Sequence, residues 1–135
     1  HACDVATDAA IVQAIGWDCR ILLTVPCCQH ELFPKIRNDR MKVMPKHGII
    51  KERFSALLTD SIRGQLLEAC GYDVNIMEFI SLEHTPKNIL IKAVRNGRPD
   101  RQKYQEYLAF AKDWQIRPYL EEELARIGRI PERQD

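Results

Sequence analysis

Two apolar, β-branched runs, Tyr72 to Leu82 and Ile89 to Arg95, are separated by only the six residues Glu83-His84-Thr85-Pro86-Lys87-Asn88. That spacing dictates geometry. Parallel neighbours need a crossover of about a dozen residues or more, so these strands must run antiparallel. Val74, Ile76, Phe79 and Ile80 in the first run, and Ile89, Leu90, Ile91 and Val94 in the second, are residue types that suit a pleated surface. Pro86 and Asn88 are suitable turn residues, and Asn96-Gly97 ends the second strand.

The rest of the chain reads as helices around further sheet. Arg20-Ile21-Leu22-Leu23-Thr24-Val25 is apolar without alternation and stops at Pro26. Such a run suits a parallel strand buried on both faces. His1-Ala2-Cys3 reads as the tail of another strand. Thr7 and Asp8 then offer an N-cap for a helix over Ala9 to Ile15, with Gly16 as its left-handed stop. Ile50 to Cys70 carries Phe54, Leu57, Leu58, Ile62, Leu66 and Leu67 at steps of three and four, one apolar helical stripe closed by Gly71. Two more helices are expected, Asp100 to Gln115 and Pro118 to Ile127, the second ended by Gly128. Residues 31–48 are irregular, broken by Pro34 and Pro45, and rich in Lys and Arg. Long loops of this kind inside compact domains often serve as lids or substrate loops.

The pattern predicts an α/β fold that ends in an antiparallel strand pair with flanking helices. The 135 residues suffice for one domain and not for two. The formal net charge of +1 announces neither a nucleic acid nor a membrane partner. No apolar run approaches the ~18 residues of a membrane span, and no secretory signal is visible. Five irregularly spaced cysteines do not read as a disulfide framework; reduced thiols in a cytoplasmic protein are the simpler expectation. His1 already sits inside a motif, so a partial domain is expected.

Two clusters carry potential chemistry. One is His1-Ala2-Cys3-Asp4 with Thr7-Asp8, the other Pro26-Cys27-Cys28-Gln29-His30. Each is expected just past the carboxyl end of a strand, where open α/β sheets bind ligands. On neighbouring strands they would lie about 5 Å apart. His1, Cys3, Asp4, Cys27, Cys28 and His30 would then line one pocket. Cys27, Cys28 and His30 allow three readings: acceptor-pocket lining, small side chains packed at a strand end, or zinc ligands with His1 or Cys3. The Cys-Cys-x-His spacing departs from the usual zinc pattern of Cys-x₂₋₄-Cys, and no metal is expected. Asp4 reads either as an acid-base group or as a turn carboxylate, and Asp8 reads as a cap. His47 and His84 read as loop residues.

The segments His1-Ala2-Cys3-Asp4-x-x-Thr7-Asp8, Pro26-Cys27-Cys28-Gln29-His30-Glu31-Leu32 and His84-Thr85-Pro86-Lys87-Asn88 together resemble a subgroup of class I S-adenosylmethionine-dependent methyltransferase domains. That subgroup is distantly similar to tRNA 2′-O-methyltransferases. The resemblance implies the C-terminal half of a Rossmann-like, seven-strand sheet. It implies that the strands gripping S-adenosylmethionine precede His1, and no G-x-G-x-x-G loop occurs in the chain. It further implies Asp4 as the acidic group of the site. Substrate contacts would come from His1, Cys3, Pro26, Cys27, Cys28 and His30, and residual cofactor contacts from His1, Ala2 and Cys3.

The leading expectation is therefore the acceptor-side half of a methyltransferase, inactive by itself. Its acceptor could be RNA, protein or a small molecule. The alternatives are a non-catalytic RNA- or protein-binding module and a zinc-stabilised structural domain. An exposed edge at Ile21 to Val25 would lead the chain to self-associate or to bind the missing half.

Overall fold

The computed structural model describes residues 2–80 and 88–134. Their order is α1 (Ala2–Gly16), β1 (Ile21–Thr24), a 3₁₀ turn (Met44–Lys46), α2 (Gly48–Ala69), β2 (Tyr72–Glu78), β3 (Ile89–Arg95), α3 (Arg101–Asp113) and α4 (Tyr119–Arg126). The expected turn residues His84, Thr85, Pro86 and Lys87 lie outside the described residues.

β2 and β3 pair antiparallel, from Tyr72 opposite Arg95 to Glu78 opposite Ile89, as their short connection requires. Asn88 anchors the end of this pair. Its carbonyl accepts from Phe79 N–H and its carboxamide donates to the Ile80 carbonyl.

The expected parallel strand is corrected on two points. β1 pairs with β3 antiparallel, with Ile21 opposite Val94 and Thr24 opposite Ile91, in the order β1-β3-β2. It is also not buried on both faces, because Ile21 and Leu23 are 61% and 60% exposed. The cause lies in what covers the sheet. Ile91 and Ala93 are fully buried, and their neighbours Leu22 and Val74 pack on the same core. α2 covers this face at Gly64, where an added Cβ would come 3.1 Å from Ile76 Cδ1 and 3.7 Å from Val74 Cγ1. The opposite face, with Ile21, Leu23 and Val94, stays exposed. No parallel pair exists among the described residues.

The first helix is also corrected. Residues 2 and 3 are helical, not a strand tail, and α1 runs seven residues longer at its start than capping by Thr7-Asp8 implied. Alanine is the strongest helix former, and Asp4 in the first turn complements the helix dipole. Asp8 therefore lies inside α1 and caps nothing. Asp4, Asp8, Ile11, Val12 and Ile15 recur at helical spacing and are all buried. Gly16 is still helical, and the left-handed residue past the end is Asp18, at φ 56°.

The other helices follow the sequence expectation closely. On α2, Leu58, Ile62, Leu66 and Leu67 are buried, but Leu57 is 59% exposed. Asp100 caps α3 by accepting from the N–H groups of Gln102 and Lys103. Phe54 of α2 meets Trp114 with ring centroids 4.9 Å apart, and Tyr104, Tyr107, Ile116, Leu120 and Leu124 complete the core. Within residues 31–48, Leu32 and Ile36 reach into this core, and the Arg37 N–H donates to the Trp114 carbonyl.

Gly71 ends α2 at φ +90°, and a Cβ there would sit 3.0 Å from Arg98 N and 3.1 Å from Pro99 N. Those are backbone atoms and cannot rotate away. Gly71→Ala is expected to cost about 1–3 kcal/mol, read as a lower urea midpoint with an unchanged slope.

Candidate functional site

The two motif segments meet, and one carboxylate joins them. Asp4 on α1 accepts through Oδ2 from the backbone N–H groups of His30 and Glu31, both at 2.7 Å. Its Oδ1 accepts from Arg63 Nη2 at 2.6 Å. Arg63 projects from the middle of α2 into the same interior and is 1% exposed. Its Nε donates to Asp8 Oδ1 at 2.7 Å and its Nη1 to Asp60 Oδ1 at 3.0 Å. Asp60 Oδ2 accepts from Gln29 Nε2 at 3.1 Å, and the same amide lies 3.4 Å from the Pro26 carbonyl. Asp8, Asp60 and Gln29 are all buried. One guanidinium thus ties α1, α2 and the segment after β1 into a single knot.

Three buried carboxylates face that one guanidinium. Burial pushes the Asp8 carboxyl up to about 6, against the pull of the neighbouring Arg63. Burial likewise raises Asp60 despite Arg63 and Gln29. Burial alone would lower Arg63, but the surrounding Asp8, Asp60 and Asp4 raise it on balance, so it stays charged.

Beside the knot lies a cleft of about 520 Å³. Pro26 and Gln29 form one wall, Ile49, Arg53, Ala56 and Leu57 of α2 another, with Asp60 and Ile89 completing the lining. The cleft therefore opens past the carboxyl end of β1, beside the first residue of β3. That is where sequence reasoning expected a ligand.

The predicted site residues are distributed unevenly around it. Pro26 lines the cleft. Cys27 is exposed, Cys28 is half-buried, and their sulfurs are 3.9 Å apart. His30 is half-buried and is held through its backbone by Asp4. Asp4 is 1% exposed, with both oxygens engaged, so the carboxylate expected to meet an acceptor is enclosed in this structure. Ala2 and Cys3 lie at the start of α1, and His1 lies outside the described residues. His47 is the exposed residue before α2 and makes no side-chain cap. Among the described residues, no group of three or more His, Cys, Asp or Glu is placed to hold a metal ion. No described helix is long and apolar enough to cross a membrane.

Sequence reading missed Asp60 and Arg63, and gave Gln29, inside the second cluster, no role of its own. The signal lay in α2, where Ser55, Thr59, Asp60 and Arg63 follow one another at helical steps beside the apolar stripe. A polar strip on a helix usually faces solvent, but here it is buried.

Residues 1–35 match the model of a family described as a methyltransferase domain. No curated protein and no solved structure matches the chain. The matched stretch contains α1, β1 and the segment that Asp4 clamps, so it covers both motif segments and the contact between them.

The charge imbalance of the knot sets a pH dependence. Between about 4 and 6 the folded chain holds a proton on Asp8 that the unfolded chain has released. Folded stability contributed by this group is therefore complete below pH 4 and falls as pH rises through about 6. Asp8→Asn keeps an oxygen for Arg63 Nε but cannot ionise. Urea titrations across pH 4–7 are expected to show this decline in the unsubstituted chain, on the order of 2 kcal/mol, and to show it flattened in Asp8→Asn.

Proposed function

We propose that this chain forms the acceptor-binding side of an S-adenosylmethionine-dependent methyltransferase. The observation that carries the reading is the Asp4 clamp. Within the stretch that matches a methyltransferase domain, it draws the two motif segments together beside a cleft at the carboxyl end of β1.

The described residues suit an acceptor better than the methyl donor. The cleft combines apolar walls, from Pro26, Ile49, Leu57 and Ile89, with the polar groups of Gln29, Asp60 and Arg53. Such a mixture orients a small, partly apolar group through a few polar contacts. A donor nucleotide needs a glycine-rich turn for close approach, and the chain has none. The chain alone is therefore expected to bind the cofactor poorly.

In this reading Asp4 is a positioning residue. It fixes the backbone of His30 and Glu31, and with it the strip Pro26 to Gln29 that walls the cleft. Pro26 then walls the near side of the acceptor pocket, and Cys27, Cys28 and His30 follow on the same strip as further candidates for acceptor contact. Residues 31–48 would act as a substrate loop, because they lead directly into Ile49 at the cleft mouth. Holding an acceptor in one orientation is a large part of what any transfer enzyme must do. The open edge and exposed face of β1 would receive the rest of the sheet or a second copy of the chain.

Calorimetry with S-adenosylmethionine on the full encoded protein tests the class. Saturable binding is expected, and its absence would remove the reading. Leu57→Trp tests the cleft. Leu57 is exposed, so the larger ring should leave the fold intact while filling the space. Transfer to the acceptor is expected to fall at least tenfold, roughly 1.4 kcal/mol, with cofactor affinity unchanged.

A further inference from the structure

We infer that Cys27 and Cys28 form a two-thiolate site for a soft divalent cation of the zinc and cadmium type. The site lies outside the Arg63 knot and does not depend on the methyltransferase reading.

The geometry is already close to what such an ion needs. A Zn–S bond of about 2.3 Å and a tetrahedral angle place two ligating sulfurs about 3.8 Å apart. The Cys27 and Cys28 sulfurs are 3.9 Å apart. Adjacent side chains on an extended strand normally point to opposite faces. Here, past β1, both sulfurs are turned to the same side, and Cys27 is exposed to incoming ions. The segment is also held in place. Pro26 precedes the pair, and the backbone N–H groups of His30 and Glu31 are bound to Asp4. An ion would therefore meet a preset pair of donors on a fixed strip of chain.

The chemistry is simple and balanced. Two S–H bonds break, two sulfur–metal bonds form, and two protons are released to solvent. Thiolates select soft cations over magnesium or calcium, which prefer oxygen. No third protein ligand joins the pair among the described residues. The remaining positions would be filled by water or by other donor groups. Burial pushes the Cys70 thiol up to about 12, and Cys19 is half-buried.

The test is an anaerobic titration of the full chain, reduced and stripped of metal, with Cd²⁺ as the optical probe. A thiolate-to-metal charge-transfer band is expected to saturate at one ion per chain, with Zn²⁺ displacing it. Two thiols should become protected from a thiol-reactive dye. Cys27→Ser changes an exposed side chain and should fold normally, which circular dichroism would verify. It is expected to weaken binding at least tenfold, and Cys27→Ser/Cys28→Ser should abolish the band. Cys19→Ser should leave the titration unchanged, and affinity should rise with pH. A band that survives the double substitution would overturn the inference. So would equal affinity in Cys27→Ser, or saturation only at millimolar ion.

Discussion

The buried guanidinium of Arg63 is the interaction on which the arrangement of this chain depends. It meets Asp8, Asp60 and Asp4 at 2.7, 3.0 and 2.6 Å, and Asp4 passes the connection on to the backbone of residues 30 and 31. Burying these charges costs desolvation that their mutual attraction only partly offsets. The knot is therefore poor evidence for high stability. What it does supply is specificity. Any other packing of α1 against α2 would leave charged groups unpaired in the interior, at about 3–5 kcal/mol for a broken pair. Burial raises Asp8 and Asp60, and below about pH 6 a proton held on Asp8 lessens the excess of three carboxylates over one cation.

The cleft inherits its shape from this knot. Asp60 uses one oxygen on Arg63 and the other on Gln29, and Gln29 reaches the carbonyl of Pro26. The wall formed by Pro26 and Gln29 is therefore fixed from behind by the same groups that fix α1. A chain segment without regular structure would ordinarily move on its own. Here it is tied at 29, 30 and 31 to two helices, so a bound group would find a preset surface.

Local signals carried much of the fold. The six residues between β2 and β3 decide strand direction by length alone, and Gly71 and Gly128 mark helix ends with positive φ. The apolar spacing of α2, α3 and α4 is visible because those helices bury hydrophobic stripes. The start of α1 was not legible for the opposite reason. Its buried stripe opens with Asp4 and Asp8, and carboxylates in a helix read as caps or solvent-facing groups until their partner is known. That partner stands 55 and 59 residues away along the chain, and no local pattern links them. The roles of Asp60 and Gln29 stayed hidden for the same reason. The two motif segments do meet, but not as the ends of neighbouring strands: the agent is a carboxylate on a helix accepting backbone N–H groups, and that was not legible.

β1 shows how a local rule can misread a strand. Ile21-Leu22-Leu23 has no polar alternation, which suggested burial on both faces with parallel neighbours. The structure gives it one covered face and one antiparallel neighbour. A strand matched to a one-sided sheet would carry polar side chains at 21 and 23, yet both are large and apolar. Composition and environment disagree at these two positions. In the middle of β3 they agree: Lys92 points to the exposed face, whereas Ile91 and Ala93 point to the buried one. The mismatch is not peculiar to β1: Ile76 on β2 is also exposed, as are Trp17, Val43 and Leu57 away from the sheet. Exposed apolar area of this kind lowers the free energy of any arrangement that covers it, at roughly 25 cal/mol per Å² removed from water.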